Sequence, residues 1–131
     1  ALEDRYAPYA LSDRNSIRSD IPGAVYRVDL DPTHPLAYGY GGGYWSIKTS
    51  ANRYAHMAEG HNVGILGSQA TPISGFAGVR ANAKLRESLS FGVKDLGQGH
   101  VIYLADNVLF RAFWKDGHKL FANAIFFSSA M

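Results

Sequence analysis

Leu89-Ser90-Phe91-Gly92-Val93-Lys94, then Asp95-Leu96-Gly97-Gln98-Gly99, then His100-Val101-Ile102-Tyr103-Leu104-Ala105, is the stretch that decides the fold. Leu89, Phe91 and Val93 alternate with Ser90, Gly92 and Lys94, the period of a strand. Asp95 to Gly99 is turn chemistry, with Gly97 and Gly99 expected to supply positive φ. An apolar run follows at once, so the stretch predicts a β-hairpin. Its second arm, Val101 to Ala105, is apolar on both faces. That predicts a strand in the middle of a sheet covered on both sides.

Working downstream, Asp106 or Asn107 can cap a helical turn over Val108 to Trp114, and Lys115-Asp116-Gly117 should break it. A last helix is predicted from about His118 to Phe127. Leu120, Phe121, Ala124, Ile125, Phe126 and Phe127 leave it little polar face, so it should pack between layers. Asn123, inside that apolar run, needs buried partners and should pin a loop. Arg111 is expected to fork onto carbonyls or a carboxylate. Asp106, Arg111 and Lys115 together read as a solvated salt-bridge edge.

Working upstream, Asn62 to Gly67 reads as a short buried strand and Asn52 to Glu59 as a short helix ended by Gly60. Tyr38-Gly39-Tyr40-Gly41-Gly42-Gly43-Tyr44-Trp45 is a glycine loop running into a strand from Tyr44 to Lys48. Tyr26, Val28 and Leu30 share one face of a half-buried strand that spans Ala24 to Leu30 and ends at Asp31-Pro32-Thr33-His34-Pro35. Ser12 is expected to cap a short helix stopped by Pro22-Gly23. The whole of 1–131 reads as one α/β domain.

Composition bounds the function. The chain has 131 residues, 47% of them apolar, with a net charge of +2, which excludes a disordered tail. Lys and Arg are scattered, giving no footprint for nucleic acid. The longest apolar run, Val101 to Ala105, is far short of the roughly 20 residues that span a bilayer. There is no cysteine, hence no disulfide, thiolate metal site or cysteine nucleophile. The chain opens at Ala1 on the charged stretch Leu2-Glu3-Asp4-Arg5-Tyr6, which reads as the start of a piece cut from a longer polypeptide.

A family resemblance rests on an ordered set of short stretches. These are Ser74-Gly75-Phe76, Leu85-Arg86-Glu87-Ser88-Leu89, Gly97 to Asn107, Phe110-Arg111-Ala112-Phe113-Trp114, and Lys119-Leu120-Phe121-Ala122-Asn123-Ala124-Ile125-Phe126-Phe127. Ile21 to Tyr26 and Thr33 to Tyr40 add to it. The set resembles the closing part of the glutamine-amidotransferase-like domain appended to bacterial zinc carboxypeptidases of the carboxypeptidase A superfamily. The resemblance implies a partial flavodoxin-like or Rossmann-like three-layer α/β unit, with a mixed sheet, a C-terminal hairpin and a closing helix. It implies a non-catalytic accessory domain of a secreted or periplasmic enzyme that removes C-terminal residues from peptides. The partner would be the catalytic domain of the same chain, and the zinc would sit there, with no cofactor in this piece. Amidotransferase chemistry is excluded, because it needs a cysteine.

Two other functions stay open. Tyr38, Tyr40, Tyr44 and Trp45, on a loop that Gly41-Gly42-Gly43 lets approach a ligand, could stack on sugar rings or peptide side chains. That would make the chain a carbohydrate- or peptide-binding module; the bland reading is a face against a partner domain. His56 and Glu59 form the H-x-x-E pair with which carboxypeptidase A relatives bind zinc. On a helix both would share a face, with His61 as a third ligand, giving a small zinc-dependent hydrolase. Too few residues follow His61 for that family's second zinc histidine, which favours a polar surface segment. Asp29, Asp31 and His34 also cluster after a strand, although Asp31-Pro32-Thr33 is an ordinary turn. Ser74-Gly75 is not a nucleophile elbow.

Overall fold

The computed structural model describes residues 8–131, so the charged opening Leu2 to Tyr6 lies outside the described residues. Six strands form one sheet: β1 (Gly23–Leu30), β2 (Gly43–Lys48), β3 (His61–Leu66), β4 (Ser74–Phe76), β5 (Ser88–Leu96) and β6 (Gly99–Leu104). The order is β2-β1-β3-β5-β6, with β4 beside the first half of β1. Three helices accompany it: α1 (Ser12–Arg18), α2 (Val79–Leu85) and α3 (Lys115–Phe126).

Every strand pairing is antiparallel, and the sheet curls into a half-barrel. The flavodoxin-like three-layer architecture with a mixed sheet is therefore wrong. Parallel neighbours need helical crossovers that return the chain to the same end of the sheet. Here β5 passes to β6 through a two-residue turn, and β1 passes to β2 through a loop whose regular structure is the 3-10 turn Pro35–Ala37.

The core fills the concave side. Tyr26, Val28 and Leu30 of β1 meet Tyr44 of β2, Val63 and Leu66 of β3, and Phe91 and Val93 of β5. Leu36 of the 3-10 turn, Ala81 and Leu85 of α2, Val108, and Leu120 of α3 close over them. Asn123 is buried on α3 and donates to the carbonyls of Leu36 and Tyr38 at 2.9 and 2.8 Å. One side chain thus fastens the last helix to the loop that lids the core.

The hairpin is present, with its strands assigned the other way round. β5 is buried from Ser88 to Val93, while β6 is an edge strand whose Tyr103 is exposed. Leu89 N donates to the Tyr54 carbonyl, and Met57 lies against Gly92, so the segment before β3 covers the outer face of β5. Gly92 leaves room for that cover, whereas Ser88 pairs with the core residue Leu66 and its Oγ donates to the Leu85 carbonyl at 2.6 Å. The β3–β5 register slips between Asn62 and Gly64 and again between Gly64 and Ile65, which bends the pair. Gly97 sits at φ +63, as a two-residue hairpin needs at its first position. Gly99 does not take positive φ, so that expectation holds for Gly97 alone.

Three helix expectations also change. Residues 52–57 carry no regular structure in place of the predicted helix. Ser12 is the first residue of α1, following an N-cap at Leu11 with no side-chain cap. Lys115-Asp116-Gly117 begins α3 rather than breaking it, and a Cβ at Gly117 would lie 1.8 Å from the Val108 carbonyl oxygen. The glycine is there to let helix and loop touch.

Candidate functional site

The glycine loop divides its aromatics between two sides. Tyr44 is 1% exposed and packs edge-on to Phe91 at 5.2 Å and to Tyr40 at 6.0 Å. Burial pushes the Tyr44 hydroxyl far above the ordinary phenol range, and that of Tyr40 up to about 12. The Tyr40 hydroxyl donates to the Asp116 carbonyl, and the Lys119 ammonium lies 5.2 Å over the Tyr40 ring while donating to the Gly39 carbonyl. Tyr44 belongs to the core, and Tyr40 is a half-buried lid residue beneath Lys119. Tyr38 and Trp45 remain outside, Tyr38 set edge-on to Phe127 at 5.3 Å.

The β2 edge is covered by side chains. Trp45 N donates to Asp116 Oδ2 at 3.2 Å, and Trp114 Nε1 donates to the Trp45 carbonyl at 2.8 Å. Below them, Lys48 Nζ meets Asp106 Oδ1 at 2.8 Å, and Ser46 Oγ donates to Asp106 Oδ2 at 2.6 Å. Lys48 is 3% and Asp106 9% exposed at the side chain. β2 is one edge of the sheet and Asp106 follows the strand at the other edge, so this polar cluster ties the rims of the half-barrel across the core. The expected solvated edge of Asp106, Arg111 and Lys115 is replaced by this buried pair. Arg111 lies 5.2 Å over the Phe110 ring, with left-handed backbone at φ +48. Sequence reading missed Lys48 and Ser46; their place on the inward face beside Tyr44 was the available signal.

The zinc candidates do not converge. With no helix at 52–59, three-residue spacing no longer puts His56 and Glu59 on one face. Glu59 instead pairs with Lys94 at 3.0 Å. His56 lines a separate cleft with Arg53 and Glu87. Asn62 holds the segment by bonding both the N–H and the carbonyl of Met57. Among the described residues no group of three His, Asp or Glu side chains could hold a metal.

His61 goes elsewhere, to the turn after β1. Its ring lies 5.3 Å from that of His34, so two residues the sequence put in separate groups are neighbours. His34 is 8% exposed, and its Nδ1 accepts from Leu36 N at 3.1 Å, capping the 3-10 turn. Burial first, and then the charge of His61, lower its proton affinity. Asp31 accepts from both the N–H and the hydroxyl of Thr33, which hold its carboxyl below the ordinary range. Asp29 stands apart, 3.9 Å from Arg27 and more than half exposed.

α3 buries Gly117, Leu120 and Asn123 and leaves Phe121, Ile125 and Phe126 at 39, 55 and 79% exposure. It is not sandwiched between layers. No helix among the described residues is long and apolar enough to cross a membrane. No known protein family, curated protein or solved structure matches this chain.

Proposed function

We propose that the chain is a non-catalytic accessory domain that docks onto a catalytic partner through the outer face of α3. The observation that carries this reading is the apolar stripe Phe121, Ile125 and Phe126, exposed on a helix whose opposite side is fully engaged with the core. Large apolar side chains grouped on one face mark interaction sites rather than ordinary surface. Three carboxylates are already engaged within the fold, Asp106 with Lys48, Glu59 with Lys94 and Asp31 with its own turn, which supports the same reading.

The sequence resemblance over Ser74 to Phe127 names the partner: a zinc carboxypeptidase catalytic domain, which would hold the zinc and remove C-terminal residues from peptides. A secreted or periplasmic location follows from the same resemblance. The curled antiparallel sheet removes the flavodoxin-like frame from that argument and leaves the motifs as its support.

The test is to produce this chain and such a catalytic domain as separate polypeptides and measure their association, with Ile125→Asp/Phe126→Asp as the variant. Burying one large apolar side chain is worth about 1.5–3 kcal/mol, so the double variant should weaken association by roughly a hundredfold or more. Its own melting temperature should hold, since both side chains are exposed. Equal association of variant and parent, or peptidase activity of the chain alone with zinc, would overturn the reading.

A further inference from the structure

The fold closes one edge of its sheet and leaves the other open. On β2 the outward groups of Trp45 are taken, its N–H by Asp116 Oδ2 and its carbonyl by Trp114 Nε1. β6 carries no such cover. Its two-residue turn makes Leu96 and Gly99 a hydrogen-bonded pair, and Ala105 N donates to the Ser90 carbonyl at 2.9 Å. The alternation between those two points turns the backbone groups of Gly99, Val101 and Tyr103 toward β5. It leaves the N–H and carbonyl of His100, Ile102 and Leu104 pointing off the edge. Among the described residues, none of these outward groups has a hydrogen-bond partner.

Nothing within the strand discourages pairing. Gly99 to Leu104 holds no proline, lysine or carboxylate, and its register with β5 runs without a bulge. Natural edges are normally blunted by one of those devices, and a regular apolar edge is a template for another strand. Both faces are apolar as well. Ile102 and Leu104 lie against the core, while Val101 and the 45%-exposed Tyr103 alternate with them on the outer face.

We propose that β6 pairs antiparallel with the β6 of a second copy of this chain, about a two-fold axis at Ile102. The strand's own sequence favours that occupant. In this register His100 stands opposite Leu104 of the other copy and Ile102 opposite itself. All three point their backbone groups across the join, so every donor there meets an acceptor. Between them Val101 lies opposite Tyr103, a β-branched residue against an aromatic ring, twice over by symmetry. The strand holds no Lys, Arg, Asp or Glu, so no like charges oppose each other. The covered β2 edge limits growth. A join through β6 alone is isologous, and the assembly closes as a dimer instead of extending as a fibre. It lies apart from α3, so it stands whether or not that helix docks a partner.

The experiment is sedimentation velocity on the purified chain over a concentration series reaching about 1 mM, by which point a join of this size should be largely dimeric. His100→Pro removes an outward N–H that the hairpin does not use, and Gly99 before it tolerates the restriction a proline imposes. It should raise the dimer dissociation constant about tenfold or more, with the circular dichroism spectrum unchanged. A second measurement does not depend on that variant. The chain has no cysteine, so Val101→Cys and Tyr103→Cys can be mixed and mildly oxidised as clean reporters. They should cross-link to each other faster than either does to itself, because the like positions sit diagonally, beyond disulfide reach. A chain that stays monomeric throughout the series would overturn the proposal, as would a folded His100→Pro variant that dimerises equally well. So would cross-linking no faster in the mixture, or assemblies larger than two. A dimer lost in Ile125→Asp/Phe126→Asp but kept in His100→Pro would move the join to α3 and overturn it too.

Discussion

The concave side of the half-barrel and the surface around it hold the same chemistry twice over. Tyr44 and Phe91 are sealed inside while Phe121, Ile125 and Phe126 stand in water. Lys48 and Asp106 form an ion pair in the interior; Lys94 and Glu59 form one on the outer face, at 42 and 80% side-chain exposure. His34 is buried and His61, its ring neighbour, is exposed. Residue type therefore decides little here. Position on the curl decides whether a group builds the fold or remains available for something else.

The aromatic contrast should give the largest effect. Tyr44→Ala empties a site bounded by Phe91, Tyr40 and the Gly117 approach, and truncation of a buried ring typically costs about 3–5 kcal/mol. Phe126→Ala removes a ring already mostly in water and should stay within about 0.5 kcal/mol. Urea unfolding followed by tryptophan fluorescence measures both. If the two variants lost similar stability, the division between inside and outside aromatics would be broken.

The ion pairs sharpen the comparison with an interior cost of similar size and a small one outside. Asp106→Asn leaves the Lys48 ammonium buried without its counter-charge, a change that costs about 3–5 kcal/mol in comparable sites. Glu59→Gln on the outer face should cost roughly 0.2–1 kcal/mol, since solvent screens the exposed pair. A Lys48→Met/Asp106→Leu double variant should recover most of the loss, because replacing both partners by apolar groups removes the desolvation problem along with the attraction. Failure of that recovery would mean that the pair specifies the closure of the two rims, beyond tolerating burial.

How much of this could be read from the chain follows from the same contrast. Period-two alternation located β1 from Tyr26, Val28 and Leu30, and the hairpin from Leu89, Phe91, Val93 and Gly97. Those signals are local. Coverage of the second face is not local, so the doubly buried strand was assigned to apolar β6 instead of β5, whose Ser88, Ser90 and Gly92 look polar or neutral. α2 escaped notice because Val79, Ala81, Ala83 and Leu85 alternate like a strand; the i, i+4 pair Ala81 and Leu85 is what the fold buries. The buried need of Asn123 was legible, because an amide within an apolar helix must find partners along the chain. The inward place of Lys48 was legible from its alternation with Tyr44 and Ser46, but its partner was not, since the counter-charge lies across the whole sheet. The neighbourhood of His34 and His61 likewise depends on β1 and β3 pairing at Leu30 and Gly64.

The histidine contrast predicts the smallest effect and the clearest sign. Burial lowers the folded pKa of His34 below its ordinary 6.5, so the unfolded chain takes up a proton before the folded one does. The stability this contributes is complete above pH 6.5 and drains away as pH falls through the folded pKa. A single such proton sets a limiting slope of about 1.4 kcal/mol per pH unit. Asp31, lowered by its bonds to Thr33, adds a second loss of the same sign, starting lower, below pH 3.8. His34→Asn should therefore flatten the stability profile just below pH 6.5 while leaving the more acidic loss in place. His61→Asn should flatten it less, because removing the His61 charge relieves one of the two causes and leaves the burial of His34 untouched. Denaturant titrations at half-unit pH steps measure both slopes. Equal flattening by the two variants would show that the charge between the rings outweighs burial, and would reverse the ranking of causes assigned to His34.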